Sequence, residues 1–192
     1  LEGVLEYSSY YGGGSNDNIT SIAILPQATN KTENVSPGKI LIAGVTSTSY
    51  YGGNCAVPTN YGFPSCSTGT QYHEPFQGGL SDAFIALLDY DKLMLWSTFF
   101  GGQGSDDVTY GSVQWPFQGP KVAIHENGEK YIFGETQSGS NTLSAIPTDI
   151  ENDLYYESVH SDNALSVNSD CFVTRFDPWE HINYSTYFGG EG

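Results

Sequence analysis

The chain has 192 residues, with 6 Lys and Arg against 22 Asp and Glu, a formal net charge of −16 at pH 7, and 38% hydrophobic and 14% aromatic residues. That balance argues against nucleic acid and anionic membrane surfaces as partners, because both require clustered Lys and Arg. No apolar run approaches the ~20 residues of a membrane-spanning helix, so no membrane insertion is expected, and the composition is that of a folded β protein rather than a disordered one.

In chain order, the first strand-like run is Leu5–Tyr11, followed by Gly12-Gly13. Four runs then form a first unit: a (Ile19–Leu25), b (Lys39–Thr46), c (Ala83–Asp89) and d (Leu93–Phe100). Four more form a second: a (Lys121–His125), b (Lys130–Thr136), c (Cys171–Asp177) and d (Ile182–Phe188). All are short, rich in β-branched and aromatic residues, and bounded by Gly, Pro, Asn and Asp, which is the pattern of strands; no stretch has a helical period. Glu126-Asn-Gly-Glu129 joins a to b in the second unit. Asn-Gly there predicts a two-residue hairpin turn, since both residues tolerate positive φ. The first unit has the polar insertion Pro26–Gly38 in its place. The c–d connection at Asp89-Tyr-Asp-Lys92 is short, whereas the b–c connections, Ser47–Ser81 and Gln137–Ser169, are long.

The units are copies of one another. Tyr7-Ser-Ser-Tyr-Tyr-Gly-Gly13, Trp96-Ser-Thr-Phe-Phe-Gly-Gly102 and Tyr184-Ser-Thr-Tyr-Phe-Gly-Gly190 recur at spacings of 89 and 88 residues. Ser81-Asp-Ala-Phe-Ile-Ala-Leu-Leu-Asp89 returns as Ser169-Asp-Cys-Phe-Val-Thr-Arg-Phe-Asp177, and Lys39–Thr46 as Glu129–Thr136. A fixed period with four strands per repeat predicts an all-β fold of tandem four-stranded antiparallel blades of β-propeller type. The expected division is 1–101, a first blade with an extra N-terminal strand, and 102–192, a second blade.

Phe76-Gln-Gly-Gly-Leu-Ser-Asp-Ala-Phe-Ile-Ala-Leu-Leu-Asp89, then Leu95-Trp-Ser-Thr-Phe-Phe-Gly-Gly-Gln-Gly-Ser-Asp-Asp107 and Tyr131-Ile-Phe-Gly-Glu-Thr136, resemble in order the motifs of the bacterial seven-bladed β-propeller repeat, SBBP. The units here are longer than that repeat, mainly in the b–c loops. The resemblance implies an extracellular or cell-surface propeller without a general active site. About two units are too few to close a ring of ~4–8 blades, and a spare d strand at Leu5–Tyr11 would expose unpaired backbone groups. Three resolutions follow: further repeats in a longer chain, several copies closing one ring, or a head-to-tail filament joined by strand complementation.

The candidate sites point the same way. Asn18, Asn30, Asn34 and Asn183 each head an Asn-X-Ser/Thr triplet and are candidate acceptors of N-linked glycans. Cys55 and Cys66 share one Gly/Pro/Asn-rich loop and are expected to form a disulfide. Cys171, aligned with Ala83, is expected to fill a core position. Asp17, Asp106 and Asp107, in Gly14-Ser-Asn-Asp17 and Gly104-Ser-Asp-Asp107, offer oxygens to calcium, or else bond their own turns. No cofactor beyond that calcium is expected. His73, His125, His160 and His181 have no ligand spacing, and no nucleophile elbow, zinc-protease or phosphate-loop motif occurs. The expected function is a non-enzymatic extracellular structural repeat protein, a cell-surface scaffold or filament subunit that associates with neighbouring copies or further repeats. The alternative is an adhesion module that binds glycans or a protein through the long b–c loops. The aromatic loops Tyr50-Tyr51, Trp115-Pro-Phe117 and Tyr155-Tyr156 could stack on sugars or pack blade on blade, and packing is the expected role.

Overall fold

A computed structural model describes residues 4, 5, 7–25, 38–49, 53–55, 57–58, 62–89, 93–106, 119–138, 148–149 and 169–189. Along the chain run β1 (Asp17–Ile24), β2 (Ile40–Thr46), β3 (Gly53–Asn54), β4 (Val57–Pro58), β5 (Asp82–Leu88), β6 (Met94–Phe100), β7 (Lys121–Ile124), β8 (Lys130–Thr136), β9 (Thr148–Asp149), β10 (Asp170–Phe176) and β11 (Ile182–Phe188). Among the described residues there is no helix. Sheet 1 has the order β1-β2-β5-β6 and sheet 2 the order β7-β8-β10-β11-β9, with every pairing antiparallel. The a–d runs of both units thus form the expected four-stranded sheets, with boundaries within two residues of those read from the sequence.

Four details differ from expectation. Of Leu5–Tyr11, read as a spare d strand, the described residues 5 and 7–11 carry no strand. The b–c loops also contribute to the sheets: Cys66 bridges Ser97 beside β6, and β9 pairs with β11 at Ser185. Ser97 and Ser185 are equivalent positions, so each loop returns to the outer side of strand d. The Asn-Gly turn is a three-residue loop, with His125 N donating to Glu129 O at 2.8 Å and Gly128 N to His125 O at 2.9 Å. Only Gly128 has positive φ (90°), as in a type I turn closed by a left-handed residue. The β10–β11 connection is built the same way, but Glu180 holds the left-handed position at φ 66°.

The sheets pack face to face. Leu41, Ala43, Ala83, Ile85, Leu87, Trp96 and Phe100 of sheet 1 share one core with Val122, Ile132, Phe172, Phe176 and Tyr187 of sheet 2. Phe100 stacks on Phe172 with centroids 5.1 Å apart, and Trp96 meets Phe176 edge-on at 5.2 Å. The opposite face of sheet 1 gathers Ile42, Phe84, Ala86 and Phe99 under Phe63, Tyr11 and Phe76. Phe84 and Phe99 are the equivalents of Phe172 and Tyr187, 88 residues on. The two sheets therefore stack in the same sense. We call the face holding Phe84 or Phe172 leading and the other trailing. The trailing face of sheet 1 covers the leading face of sheet 2, a heterologous contact. Near it Thr20 Oγ1 donates to Pro120 O at 2.5 Å and Val122 N to Ser21 Oγ at 3.1 Å, tying β1 to β7.

Phe100 is fully buried in this contact. Phe100→Ala is expected to lower stability by about 3–5 kcal/mol through lost burial and a cavity, read as a shift of the urea midpoint.

Candidate functional site at the repeated glycine corner

A hydrogen-bonded corner recurs at two of the Gly-Gly motifs, Gly12-Gly13 and Gly101-Gly102. Gly13 N donates to Asp17 Oδ2 at 2.7 Å, and Gly102 N to Asp106 Oδ2 at 2.9 Å. The other oxygen accepts from the threonine that ends strand b: Thr46 to Asp17 at 2.5 Å, and Thr136 to Asp106. Thr46 and Thr136 in turn accept from Thr48 N (3.0 Å) and Ser138 N (2.9 Å). Ser138 Oγ also donates to Asp106 Oδ1 at 2.9 Å, and Gly104 N to Ser138 Oγ at 3.0 Å. The first corner joins Gly13 to the start of β1 and the end of β2, and the second joins the segment after β6 to the end of β8. Room rather than φ dictates glycine at Gly101, where a Cβ would collide with the Asp106 carboxylate and stand 3.1 Å from Asp82 Cγ.

Three acids are buried at the second corner: Asp82, Asp106 and Glu74. Tyr72 Oη donates to Glu74 Oε2 at 2.5 Å. Asp82 Oδ2 accepts from Gln77 N at 2.7 Å, while Oδ1 has no hydrogen-bond partner. Burial, reinforced by the Asp106 and Glu74 charges, pushes the Asp82 carboxyl up to about 8. Burial also raises Asp106, but donors from Thr136, Gly102 and Ser138 hold it to about 6. Asp82 is therefore mainly protonated at neutral pH.

A second polar cluster clamps the units together. Lys130 Nζ lies 2.7 Å from Glu180 Oε1, both side chains buried, and donates to Gly128 O, Asp177 O and Pro178 O at 3.1–3.3 Å. Burial pushes the Lys130 pKa down, and Glu180 offsets part of that effect. Gln71 Nε2 reaches Glu180 Oε2 at 2.7 Å, and Tyr72 N donates to Glu180 O at 2.9 Å. The b–c loop of the first unit is thereby fastened to the c–d turn of the second.

The residues singled out in the sequence fall as follows. Cys55 and Cys66 form a disulfide with Cα atoms 5.2 Å apart, linking the β3–β4 turn to the segment beside β6. Asn18 is exposed on β1 and Asn183 half-buried on β11. Asn30, Asn34, Asp107, His160, Tyr50, Tyr51, Trp115, Phe117, Tyr155 and Tyr156 lie outside the described residues. The Asp17 and Asp106 carboxylates are engaged by protein donors. Among the described residues no group of three or more His, Cys, Asp or Glu side chains is placed to hold a metal ion. Cys171 is exposed rather than in the core. Its equivalent Ala83 is covered by sheet 2, but Cys171 stands on the trailing face of sheet 2. Sequence reading missed Thr48 and Ser138, which repeat two residues beyond the aligned b strands. It also missed the Lys130–Glu180 pair, which has no counterpart at Ile40 in the first unit.

No family model matches the chain, and no curated protein matches it.

Two predictions follow from the buried charges. The folded pKa of Asp82 lies above the 3.8 of an ordinary aspartate. The folded protein retains a proton that the unfolded chain releases, so this stabilisation is full below about pH 4 and is lost as pH climbs through about 8. Asp82→Asn, whose amide stands in for the protonated acid, is expected to flatten the fall in urea midpoint between pH 5 and 9. Lys130→Met strands the Glu180 carboxylate and is expected to lower stability by about 3–5 kcal/mol, with much of the loss recovered in Lys130→Met/Glu180→Gln; thermal denaturation at neutral pH checks it.

Proposed function

We propose that this chain is a non-enzymatic extracellular structural repeat protein, built of propeller-type blades and serving as a cell-surface scaffold or filament subunit. The observation that carries this reading is the same-sense stacking of two equivalent sheets, a contact that can be repeated indefinitely because leading and trailing faces differ. The polar groups that recur with the period support it. Asp17, Asp106, Thr46 and Thr136 bond to one another and to the backbone, and so serve the frame. The Cys55–Cys66 disulfide suits an oxidising compartment, and exposed Asn18 offers a glycan acceptor. The resemblance of the repeated motifs to the SBBP propeller repeat agrees with this reading.

Light scattering and negative-stain imaging of the purified protein test the proposal. Regular assemblies that grow with concentration are expected. A protein that stays monomeric at every accessible concentration and turns over a substrate in a broad hydrolase panel overturns it.

A further inference from the structure

We infer that residues 71–77 form a proton-held strap across the junction of the two units, closed while the buried acids beneath it keep a proton and released when that proton leaves.

The segment carries no strand and is tied at both ends. At one end Gln71 Nε2 donates to Glu180 Oε2 at 2.7 Å and Tyr72 N to Glu180 O at 2.9 Å. At the other, Gln77 N donates to Asp82 Oδ2 at 2.7 Å. Between them Trp96 Nε1 donates to Tyr72 O and Glu74 N to Thr98 Oγ1, both at 2.7 Å. The Tyr72 ring lies 6.2 Å from Phe100 of sheet 1 and 5.9 Å from Phe176 of sheet 2, so the strap covers the seam between the sheets.

Three acids meet under it. Asp82 comes from β5, Asp106 from the segment after β6, and Glu74 from the strap itself; they are 0%, 1% and 2% exposed. Asp82 Oδ1 has no hydrogen-bond partner. A buried carboxylate oxygen without a donor carries charge only at high cost, and the Asp106 and Glu74 charges add to it. Ionisation of Asp82 must therefore be relieved by movement. Asp106 is held by Gly102, Thr136 and Ser138, and Asp82 is fixed in β5 between β2 and β6. Glu74 alone stands outside the sheets. Lifting the strap carries its charge away and admits water to Asp82 Oδ1, while both sheets stay whole. The other titratable groups nearby do not compete. Tyr187, beside Asp106 and Asp170, is kept neutral by burial, and Tyr72 donates its hydroxyl to Glu74. His73, bonded to Ser65 Oγ, is pushed down by burial and is neutral above pH 6.5.

Limited chymotrypsin digestion of the folded protein between pH 6.5 and 9 tests this. Sites are read by mass spectrometry, and each rate is divided by that of an unstructured peptide with the same bond. Cleavage after Tyr72 and Phe76 is expected to rise roughly tenfold from pH 6.5 to 8. It then levels off, because opening gains from proton release only until the folded pKa of Asp82, about 8, is passed. Cleavage after Tyr184 and Tyr187 in β11 is expected to stay low throughout. Asp82→Asn is expected to remove the rise. Glu74→Gln, which keeps an acceptor for Tyr72, is expected to reduce it, and decides alone if circular dichroism shows Asp82→Asn unfolded. Strap cleavage that does not rise, that rises equally in the folded variants, or that rises in step with cleavage in β11 overturns the inference.

Discussion

The rest of the molecule depends on the apolar contact in which the trailing face of sheet 1 lies on the leading face of sheet 2. Trp96, Phe100, Phe172, Phe176 and Tyr187 are all buried to within 1% there. Complete burial of a large apolar side chain stabilises by about 1.5–3 kcal/mol, so a handful of such rings outweighs the surface ion pairs that a chain with 6 basic residues can make. The contact also explains the strand patterns. β5 is apolar along almost its whole length because both of its faces are covered, whereas β10 alternates because only one is.

Polar groups set the angle and connection of the sheets rather than their attraction. The corner aspartates show how hydrogen bonding grades the cost of burial. Asp106 and Asp82 are about equally inaccessible, at 1% and 0% exposure. Asp106 accepts from a backbone amide and two hydroxyls, and Asp82 from a single amide, which accounts for the lower pKa of Asp106. The Lys130–Glu180 pair shows the same economy of donors. The ammonium is surrounded by three carbonyls as well as its counter-ion, and Glu180 accepts a left-handed backbone to stay beside it.

The functional reading follows from where the chemistry is and is not spent. The corner side chains that recur with the period, Asp17, Asp106, Thr46 and Thr136, bond to one another and to the backbone. What changes between units is the insertions and the long loops at the outer side of strand d. A frame that repeats and a margin that varies is the division expected of a scaffold.

Period, strand content and the Cys55–Cys66 pair were legible in the amino-acid sequence, because each depends on local pattern or spacing: alternation, turn residues, two cysteines in one loop. The faces were not. β5 has no polar side to show its orientation, so nothing in Ala83–Leu88 says that Phe84 turns away from sheet 2 while its equivalent Phe172 turns toward sheet 1. Cys171 was misplaced for that reason, since equivalent positions share an environment only where both faces have neighbours. Residues 7–11 carry the d-strand motif yet form no strand: the period assigns them to a sheet preceding sheet 1, and among the described residues no strand runs beside them to pair with. Lys130 and Glu180 are 50 residues apart and meet only because a hairpin loop returns beside β8. Local propensity chose the strands; burial of both sheet faces, which no single segment encodes, decided how they meet.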